Sequence, residues 1–331
     1  MSKKNKPGRV KLIANPGAGD PLKSAARLEQ VTGYLRDFGL KVDVALAHPK
    51  KEAIPIARKA VKDGYDVVIA MGGDGTIGVV IRGIAGSKAR LGIIPAGTEN
   101  DMAISLGIPT DLKEACALIA SGHTRKLDLG RISTKKWKNF YFFMVAAIGF
   151  TATVYPMISD VPNGNFSGIK DAVATLLKYK TNPKVFLTLD DESKIEVESM
   201  LVTIANTPVS GAKNLIAPDA SLEDGLLDVA VYPGFTKAEL LDYFVKSANV
   251  GATPDGRIQR YLAKKIKVKT SPKLDIAAEG IILGKGTARI KVFPGALRVI
   301  APEPGPGVEK PQGENPVTEK DGSHIASPVT K

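Results

Sequence analysis

The chain contains 331 residues, 44% of them hydrophobic, and carries a formal net charge of +12. This length allows two domains of ordinary size, and the basic balance favours an anionic partner such as a nucleotide or an acidic membrane surface. Cys116 is the only cysteine, which excludes intrachain disulfides and cysteine-rich zinc sites and suits a reducing cytoplasm. Basic residues form no dense block interleaved with aromatics, so no nucleic acid partner is expected.

The first 130 residues alternate short apolar strands with amphipathic helices. Strands are predicted at residues 10–14, 41–46, 67–70 and 91–94, and helices at 25–38, 54–62 and 112–120. This alternation is typical of a parallel sheet with right-handed crossovers, whose ligands bind beyond the carboxyl ends of the strands. Polar turns follow three of the strands, at 15–19, 72–76 and 95–101. We therefore expect these three turns to converge on one site.

The most informative of these turns is Met71-Gly72-Gly73-Asp74-Gly75-Thr76. It joins a buried apolar strand to a helix, and the free N–H groups and dipole at a helix N-terminus favour bound phosphate. The carboxylate of Asp74 could hold Mg²⁺ or orient a phosphate partner. A tight turn in which Asp74 only caps the helix is the competing interpretation. The two further turns expected beside it favour the phosphate site.

The second half of the chain is predicted to be rich in β-structure. Strands are indicated at 140–148, 185–189, 195–205, 227–232, 266–269, 274–278, 288–292 and 297–300, and helices at 169–180 and 237–246. Residues 140–159 carry no charge and approach the ~20 residues that cross a membrane, but their aromatic and β-branched content favours a buried strand. Residues 264–269 alternate as a strand with one solvated face, and Trp137 is expected on an exposed hairpin tip. No signal peptide is expected, and a tail over 303–331 is predicted to be disordered.

These turns, in this order, resemble the diacylglycerol kinase catalytic family of bacterial lipid kinases, which also includes sphingosine and ceramide kinases. The matching pieces are Asn15-Pro16 with Gly19, then 72–76, 95–101, 217–220 with 224–228, and 294–299. The resemblance implies an N-terminal α/β Rossmann-like nucleotide domain over 8–129, completed by 294–302. A C-terminal β-sandwich lipid domain over 130–293 and a tail over 303–331 complete the expected organisation. The glycine–aspartate turn alone is also similar to that of NAD kinase, so a kinase for another alcohol stays open.

The same resemblance implies that ATP and Mg²⁺ bind in the cleft between the two domains. The implied nucleotide-site residues are Asn15, Gly72, Gly73, Asp74, Gly75, Thr76, Thr98 and Asn100. Asp101 and Asp128 would support the metal, and Asp224 with the carbonyls of Ser221 and Leu226 would form a structural Mg²⁺ site. Asp74 would be central to transfer, since phosphoryl transfer depends mainly on positioning and charge neutralisation.

The chain departs from the family pattern at the expected base. Counting back from Pro294 puts that base on Ile281, which cannot take a proton, whereas Glu279 lies two residues away, about 7 Å in an extended chain. Glu279 is the predicted substitute base. The first turn also departs, because Asp20 stands where the family often has lysine.

Three hypotheses follow. The first is an active lipid kinase, the second a catalytically impaired nucleotide- or lipid-binding homologue, and the third a kinase for another alcohol such as NAD. Expected partners are a lipid substrate, an anionic membrane contacted peripherally by a cytoplasmic protein, and a second copy in a homodimer.

Overall fold

The computed structural model describes residues 8–19, 21–48, 50–152, 183–208, 215–250 and 255–303. Asp20, the helix predicted at 169–180 and all but the first residue of the tail predicted over 303–331 lie outside these ranges. None of the helices in the described residues has both the length and the hydropathy of a membrane-spanning segment.

The N-terminal lobe is a parallel sheet flanked by helices. Its strands are β1 (Val10–Ala14), β2 (Val42–Leu46), β3 (Val67–Gly72) and β4 (Arg90–Pro95), in the order β4-β3-β1-β2. Its helices are α1 (Ser24–Asp37), α2 (Ala53–Lys62), α3 (Asp74–Ile84), α4 (Asp101–Ser105) and α5 (Leu112–Ser121). The strands and helices predicted for this half are confirmed to within two residues, whereas the short helix α4 was not predicted. All six residues of β3 are buried, as expected for a central strand covered on both faces.

The C-terminal lobe is a β-sandwich. Its elements are β5 (Thr124–Ser133), β6 (Phe140–Phe142), β7 (Val145–Gly149), β8 (Lys184–Leu189), β9 (Ser193–Ala205), β10 (Leu227–Pro233), α6 (Lys237–Val250), β11 (Gln259–Ala263), β12 (Lys265–Ser271), β13 (Asp275–Ala278), β14 (Ile281–Lys285) and β15 (Thr287–Ile300). One layer contains β5, β6, β8, β12 and the first half of β15, and the other contains β7, β10, β11, β13 and β14. Strand β9 pairs with β8 at its start and with β7 and β10 at its end, so it belongs to both layers. A continuous apolar core lies between the two layers.

Strand β15 joins the two lobes. Its first half pairs antiparallel with β12, and its end pairs in parallel with β4 at Arg298↔Arg90 and Val299↔Leu91. It also pairs with β5 along most of its length. The two strands predicted at 288–292 and 297–300 are therefore one strand, because a bulge between Phe293 and Leu297 bends it without ending it.

The single strand predicted at 140–148 is wrong. The chain forms β6 and β7, which pair with different layers of the sandwich. Between them, the N–H groups of Phe143 and Met144 donate to the side chain of Glu279 and so leave the ladder. Strands β11 and β14 were not predicted, because each has only five residues and lacks a continuous apolar pattern.

Candidate functional site

The three polar turns meet at the carboxyl ends of β1, β3 and β4, as predicted. A Cβ atom at Gly97 would lie 2.4 Å from the Cα of Gly73, and one at Gly19 would lie 2.5 Å from the carbonyl oxygen of Ala96. Asn15 connects the first two turns by donating from Nδ2 to Oγ1 of Thr76, at 3.1 Å. The glycines at these contacts allow backbone to touch backbone, which a side chain would prevent.

Asp74 holds the second turn against the third. Its Oδ2 accepts the N–H of Asp101 at 3.0 Å, and its Oδ1 accepts the N–H of Met102 at 2.8 Å. These N–H groups open helix α4, so the carboxylate caps that helix from outside. Asp74 does not cap α3, of which it is the first residue, but its carboxylate caps α4 and still faces the site.

A cluster of three carboxylates lies at this point. One ligand oxygen from each of Asp74, Glu99 and Asp101 falls within 4.8 Å of the others, and Asp101 is only 1% exposed. Oxygen donors at this spacing suit a hard divalent cation such as Mg²⁺. Asp101 was expected beside the site, whereas Glu99 was not singled out because its position depends on the fold of the third turn.

The other residues predicted for nucleotide binding differ in their surroundings. Asn100 adopts a positive φ of 57° and braces its own loop, because its Oδ1 accepts the N–H of Gly97 and its Nδ2 donates to the carbonyl of Gly97. Thr76 is buried, whereas Gly75 and Thr98 are exposed on the turns. Beside Asn15 lies a cavity of about 210 Å³ with a mainly apolar lining that includes Leu28, Leu46, Met71 and Ala96.

Glu279 reaches the same region from the second lobe. It occupies the turn between β13 and β14 with a φ of 51°, and its Oε1 accepts the N–H groups of Phe143 (3.2 Å) and Met144 (2.8 Å). Its Oε2 lies beside α3, only 3.4 Å from where a Cβ atom of Gly78 would stand. Burial raises the pKa of Glu279 above its usual value; Met144 N–H and the Arg82 charge oppose this rise, and the Asp74 charge adds to it. An acid of this lobe therefore faces α3, the helix that follows the glycine turn of the other lobe.

Ile281 has a different environment. Its side chain is partly buried and packs against the core of the sandwich at the start of β14. The position that an ungapped count assigns to the base is therefore occupied by an apolar side chain that packs against the core. Glu279 is the nearby acid that faces the first lobe.

Arg82 was not predicted and lies next to Glu279. Its guanidinium carbon stands 4.7 Å from the ring centroid of Phe140, which belongs to the second lobe. Burial lowers the pKa of Arg82, and the nearby carboxylate of Glu279 opposes this change. No local sequence signal marks this arginine, because both of its neighbours come from distant parts of the chain.

Asp128 lies outside the carboxylate cluster. Its Oδ2 accepts the N–H of Gly225 at 2.7 Å, and its Oδ1 accepts the N–H of Gly295 at 2.8 Å. Burial raises the pKa of Asp128, and these two hydrogen bonds oppose the rise. The structure thus gives Asp128 a bracing position between three segments and does not place it with Asp74, Glu99 and Asp101.

The residues predicted to form a structural Mg²⁺ site share one turn. Asp224 accepts the N–H of Leu226 at Oδ1 (3.0 Å), and the Ser221 hydroxyl accepts the N–H of Glu223 (3.3 Å). Burial is the main cause that raises the pKa of Asp228 to about 6, and the nearby negative charge of Asp224 adds to this rise. This turn contacts β5 through the hydrogen bond from Gly225 to Asp128.

Comparison with known proteins accounts for both lobes. Residues 9–132 match the family model described as the diacylglycerol kinase catalytic domain, and residues 145–301 match that of the YegS C-terminal NAD kinase beta sandwich-like domain. A protein of Mycobacterium tuberculosis named diacylglycerol kinase is 30% identical over 303 residues, which cover 90% of this chain and 96% of that protein. One of the same name from Bacillus subtilis is 29% identical over 284 residues, covering 82% and 89%.

A solved structure adds evidence on the fold. A crystal structure of a diacylglycerol kinase from Bacillus anthracis superposes with a TM-score of 0.69 at 22% identity, covering 90% of this chain and 98% of that chain. An NAD kinase of Archaeoglobus fulgidus in complex with ATP gives a TM-score of 0.50 at 12% identity, covering 88% and 93%. At these identities, the likeness shows a shared fold: an α/β nucleotide-binding lobe and a β-sandwich lobe.

Proposed function

The chain belongs to the diacylglycerol kinase catalytic-domain family, and from this membership we propose that it is an ATP- and Mg²⁺-dependent lipid kinase. The acceptor is a lipid hydroxyl, either diacylglycerol-like or sphingoid. The observation that carries the proposal is the position of Glu279, an acid of the sandwich lobe beside the helix that follows the glycine turn. Without such an acid, the fold would hold a nucleotide but would lack a proton acceptor for the lipid.

Glu279 is the proposed base. Its Oε1 is held by two backbone N–H groups, which leaves Oε2, on the α3 side, to accept the proton of the lipid hydroxyl. As that O–H bond breaks, a bond forms between the lipid oxygen and the γ-phosphorus of ATP, and the bond to the β-phosphate oxygen breaks to release ADP. A raised pKa suits this role, because a base works best when its pKa approaches the operating pH.

The converged turns are the proposed nucleotide site. The turn at 72–76 opens α3, whose first N–H groups can bind phosphate, and the apolar cavity beside Asn15 has room for part of the nucleotide. The donor set of Asp74, Glu99 and Asp101 fits Mg²⁺ because it consists of oxygen atoms. When bound, Mg²⁺ would neutralise charge on the transferred phosphate. Asp224 with the Ser221 and Leu226 carbonyls stays the proposed second Mg²⁺ site, and Asp128 braces the turn that carries it.

The test is transfer of radiolabelled γ-phosphate to a panel of diacylglycerol, sphingosine, ceramide, phosphatidylglycerol and NAD. We expect one lipid class to be labelled and Glu279→Gln to lower turnover by about a hundredfold or more while ATP affinity is kept. Glu114→Gln, which changes an exposed acid on α5, is the matched control and should retain full activity.

Two outcomes would contradict the proposal. ATP binding with no labelled lipid would leave the impaired homologue as the better interpretation, and labelling of NAD alone would replace the lipid with a soluble alcohol. Equal turnover by Glu279→Gln and the unchanged protein would remove the base role.

A further inference from the structure

We propose that the outer face of the β12–β15 ladder, together with the hairpin tip at residues 134–139, is the surface that docks this protein on an anionic lipid bilayer. The outward side chains are Lys265, Lys267 and Lys269 on β12 and Arg289 and Lys291 on β15, and all five are exposed. We call these five side chains the basic face. The inward side chains of the same strands form the core of the sandwich.

The register of the strands places these cations directly opposite one another. Lys265 pairs with Lys291 and Lys267 with Arg289, and the next strand continues the first of these rows with Arg131. Like charges in directly opposite positions destabilise a sheet. Solubility does not require this arrangement, because the same charges spread over the surface would serve it without the repulsion. An anionic partner removes the repulsion when it binds.

Only part of this charge is neutralised within the described residues. Asp191 forms ion pairs with Lys265 (3.3 Å) and Lys267 (2.6 Å). Lys269, Arg289 and Lys291 have no ion pair in the part of the chain that the structure describes. The face therefore keeps an excess of positive charge, which attracts the negative surface of a bilayer.

The hairpin tip supplies an aromatic side chain at the end of this face. Ser133 pairs with Arg289, and the tip that follows contains Lys135, Lys136, Trp137 and Lys138, all exposed. Trp137 is 38% exposed and contacts Phe140 edge-to-face with a centroid distance of 5.5 Å. Tryptophan favours the level of the lipid headgroups, where its apolar ring and polar N–H are both satisfied. This combination of lysines and one tryptophan fits a bilayer better than a nucleic acid.

The tip is hydrogen-bonded to the strand that follows Glu279. Oγ1 of Thr134 donates to the carbonyl of Leu283 at 2.6 Å, which ties the tip to β14, the strand after Glu279. Trp137 contacts Phe140, and Phe140 contacts Arg82. Arg82 is in turn close enough to Glu279 for its positive charge to favour the carboxylate form. A bilayer held at the tip would thus lie near the proposed base, which gives the surface its purpose under the proposed lipid kinase function.

Trp137 provides a direct readout, because it is the only tryptophan in the chain. Vesicles of phosphatidylcholine with phosphatidylglycerol should shift its emission to shorter wavelength, and brominated lipid should quench it. Vesicles of phosphatidylcholine alone should leave the spectrum unchanged, and 0.5 M salt should reverse the shift, because the attraction is screened. No shift with anionic vesicles, or a shift indifferent to salt, would overturn the proposal.

A pair of triple variants tests the location. Replacing Lys269, Arg289 and Lys291 with serine should weaken partition into anionic vesicles by about a hundredfold at low salt, since each cation near a membrane contributes about fivefold. The matched control replaces Lys41, Lys62 and Lys88, exposed lysines of the other lobe, and should change partition by less than about threefold. An equal effect of the two triples would refute this location, because net charge alone would then explain binding.

Two further arms separate the remaining explanations. Trp137→Ala, followed by vesicle sedimentation, should weaken binding while ATP affinity is kept; unaltered sedimentation would remove the tip from the surface. Duplex DNA that shifts Trp137 emission at lower concentration than vesicles would replace the bilayer with a nucleic acid.

Vesicle binding without any labelled lipid would contradict the kinase function alone. Labelled lipid without binding through this face would contradict the docking surface alone.

Discussion

At the scale of single residues, the site depends on glycines that allow turns to touch. Gly97 approaches Gly73 so closely that a Cβ atom would stand 2.4 Å from its Cα and 3.0 Å from Oδ1 of Asn100. Gly97→Ala should therefore separate the second and third turns and weaken ATP binding by at least about tenfold, measured by calorimetry. Gly33→Ala is the matched control, because Gly33 lies within α1 with no atom within 4 Å of the added methyl group. It should keep ATP affinity and raise the free energy of unfolding by about 1 kcal/mol.

Arg82 allows a prediction about pH. Its positive charge opposes the rise in the pKa of Glu279, so Arg82→Gln should raise that pKa further. A base acts only when deprotonated, and the acidic limb of the kcat profile should therefore move to higher pH while the plateau above it is largely kept. Arg58→Gln, at an exposed position on α2, should leave the profile in place. A uniform loss of kcat at all pH values would indicate that Arg82 acts through structure alone.

A site residue could be predicted when its position follows from nearby sequence. It could not be predicted when its hydrogen-bond partners lie far along the chain. The turns holding Asn15, Asp74 and Asn100 were predicted because each follows its own strand, and the topology of a parallel sheet brings strand ends together. Asp128 was grouped with the metal by resemblance to the family, which carries no information on its hydrogen-bond partners. Its partners are Gly225 and Gly295, which lie 97 and 167 residues away.

At the scale of elements, α6 begins with a reciprocal cap. Thr236 Oγ1 accepts the N–H of Glu239 (3.2 Å), and Glu239 Oε2 accepts the N–H of Thr236 (2.7 Å). Arg257 extends this cap, since it donates to Glu239 at 2.9 Å and stacks 3.9 Å from the ring centroid of Phe235. The cap anchors α6, whose Tyr243 packs against Tyr232 and Phe235 in an aromatic cluster.

Loss of this cap should destabilise α6. Thr236→Ala should cost about 1 kcal/mol in urea denaturation and increase hydrogen exchange at the start of the helix. Thr32→Ala, within α1, is the control and should be neutral or slightly stabilising because alanine has the higher helix propensity. Equal exchange in α6 of both variants would contradict the role of the cap.

Glu239 adds a pH dependence with a defined sign. Hydrogen bonds from Thr236, followed by that from Arg257, lower its pKa from 4.5 to about 2. An acid with a depressed pKa stabilises the fold at pH values above its unfolded pKa, and this contribution is lost as the pH falls through about 2. Glu239→Gln should therefore be less stable than the unchanged protein at pH 7, and the difference should shrink below about pH 4.5.

A strand is predictable when its own residues carry the apolar signal, and it is missed when a distant part of the chain determines it. β3 is six buried residues that run into a glycine turn, so its apolar run is visible without knowledge of the fold. β11 has five mostly exposed residues and is a strand only because β10 pairs with it. The division into β6 and β7 depends on the bonds of Glu279, more than 130 residues further on.

At the scale of the whole molecule, Asp128 connects segments that are distant in sequence. Its two carboxylate oxygens accept N–H groups of Gly225 and Gly295, its own N–H donates to Leu222, and its carbonyl accepts from Asn206. All of its polar groups are thus used at the junction of the lobes. This residue is only 2% exposed, so each lost bond leaves a buried group unpaired.

Asp128→Asn tests this brace. The amide can accept only one of the two N–H groups, so the variant should lose about 1–3 kcal/mol of unfolding free energy. The loss should persist in EDTA, because the brace needs no metal; a loss abolished by EDTA would instead mark Asp128 as a metal ligand. Asp37→Asn, an exposed position on α1, should change stability by less than about 0.5 kcal/mol.

Strand β15 affects when the N-terminal lobe can complete its sheet during synthesis. β4 gains its partner on one side only when residues 298 and 299 emerge from the ribosome, about 200 residues after β4 itself. Until then, the first lobe has an open edge whose N–H and C=O groups are available to any other strand. Chain synthesis at roughly 5–20 residues per second leaves that edge exposed for on the order of 10–40 seconds. The N-terminal lobe should therefore not complete its sheet until β15, at the end of the C-terminal lobe, has been translated.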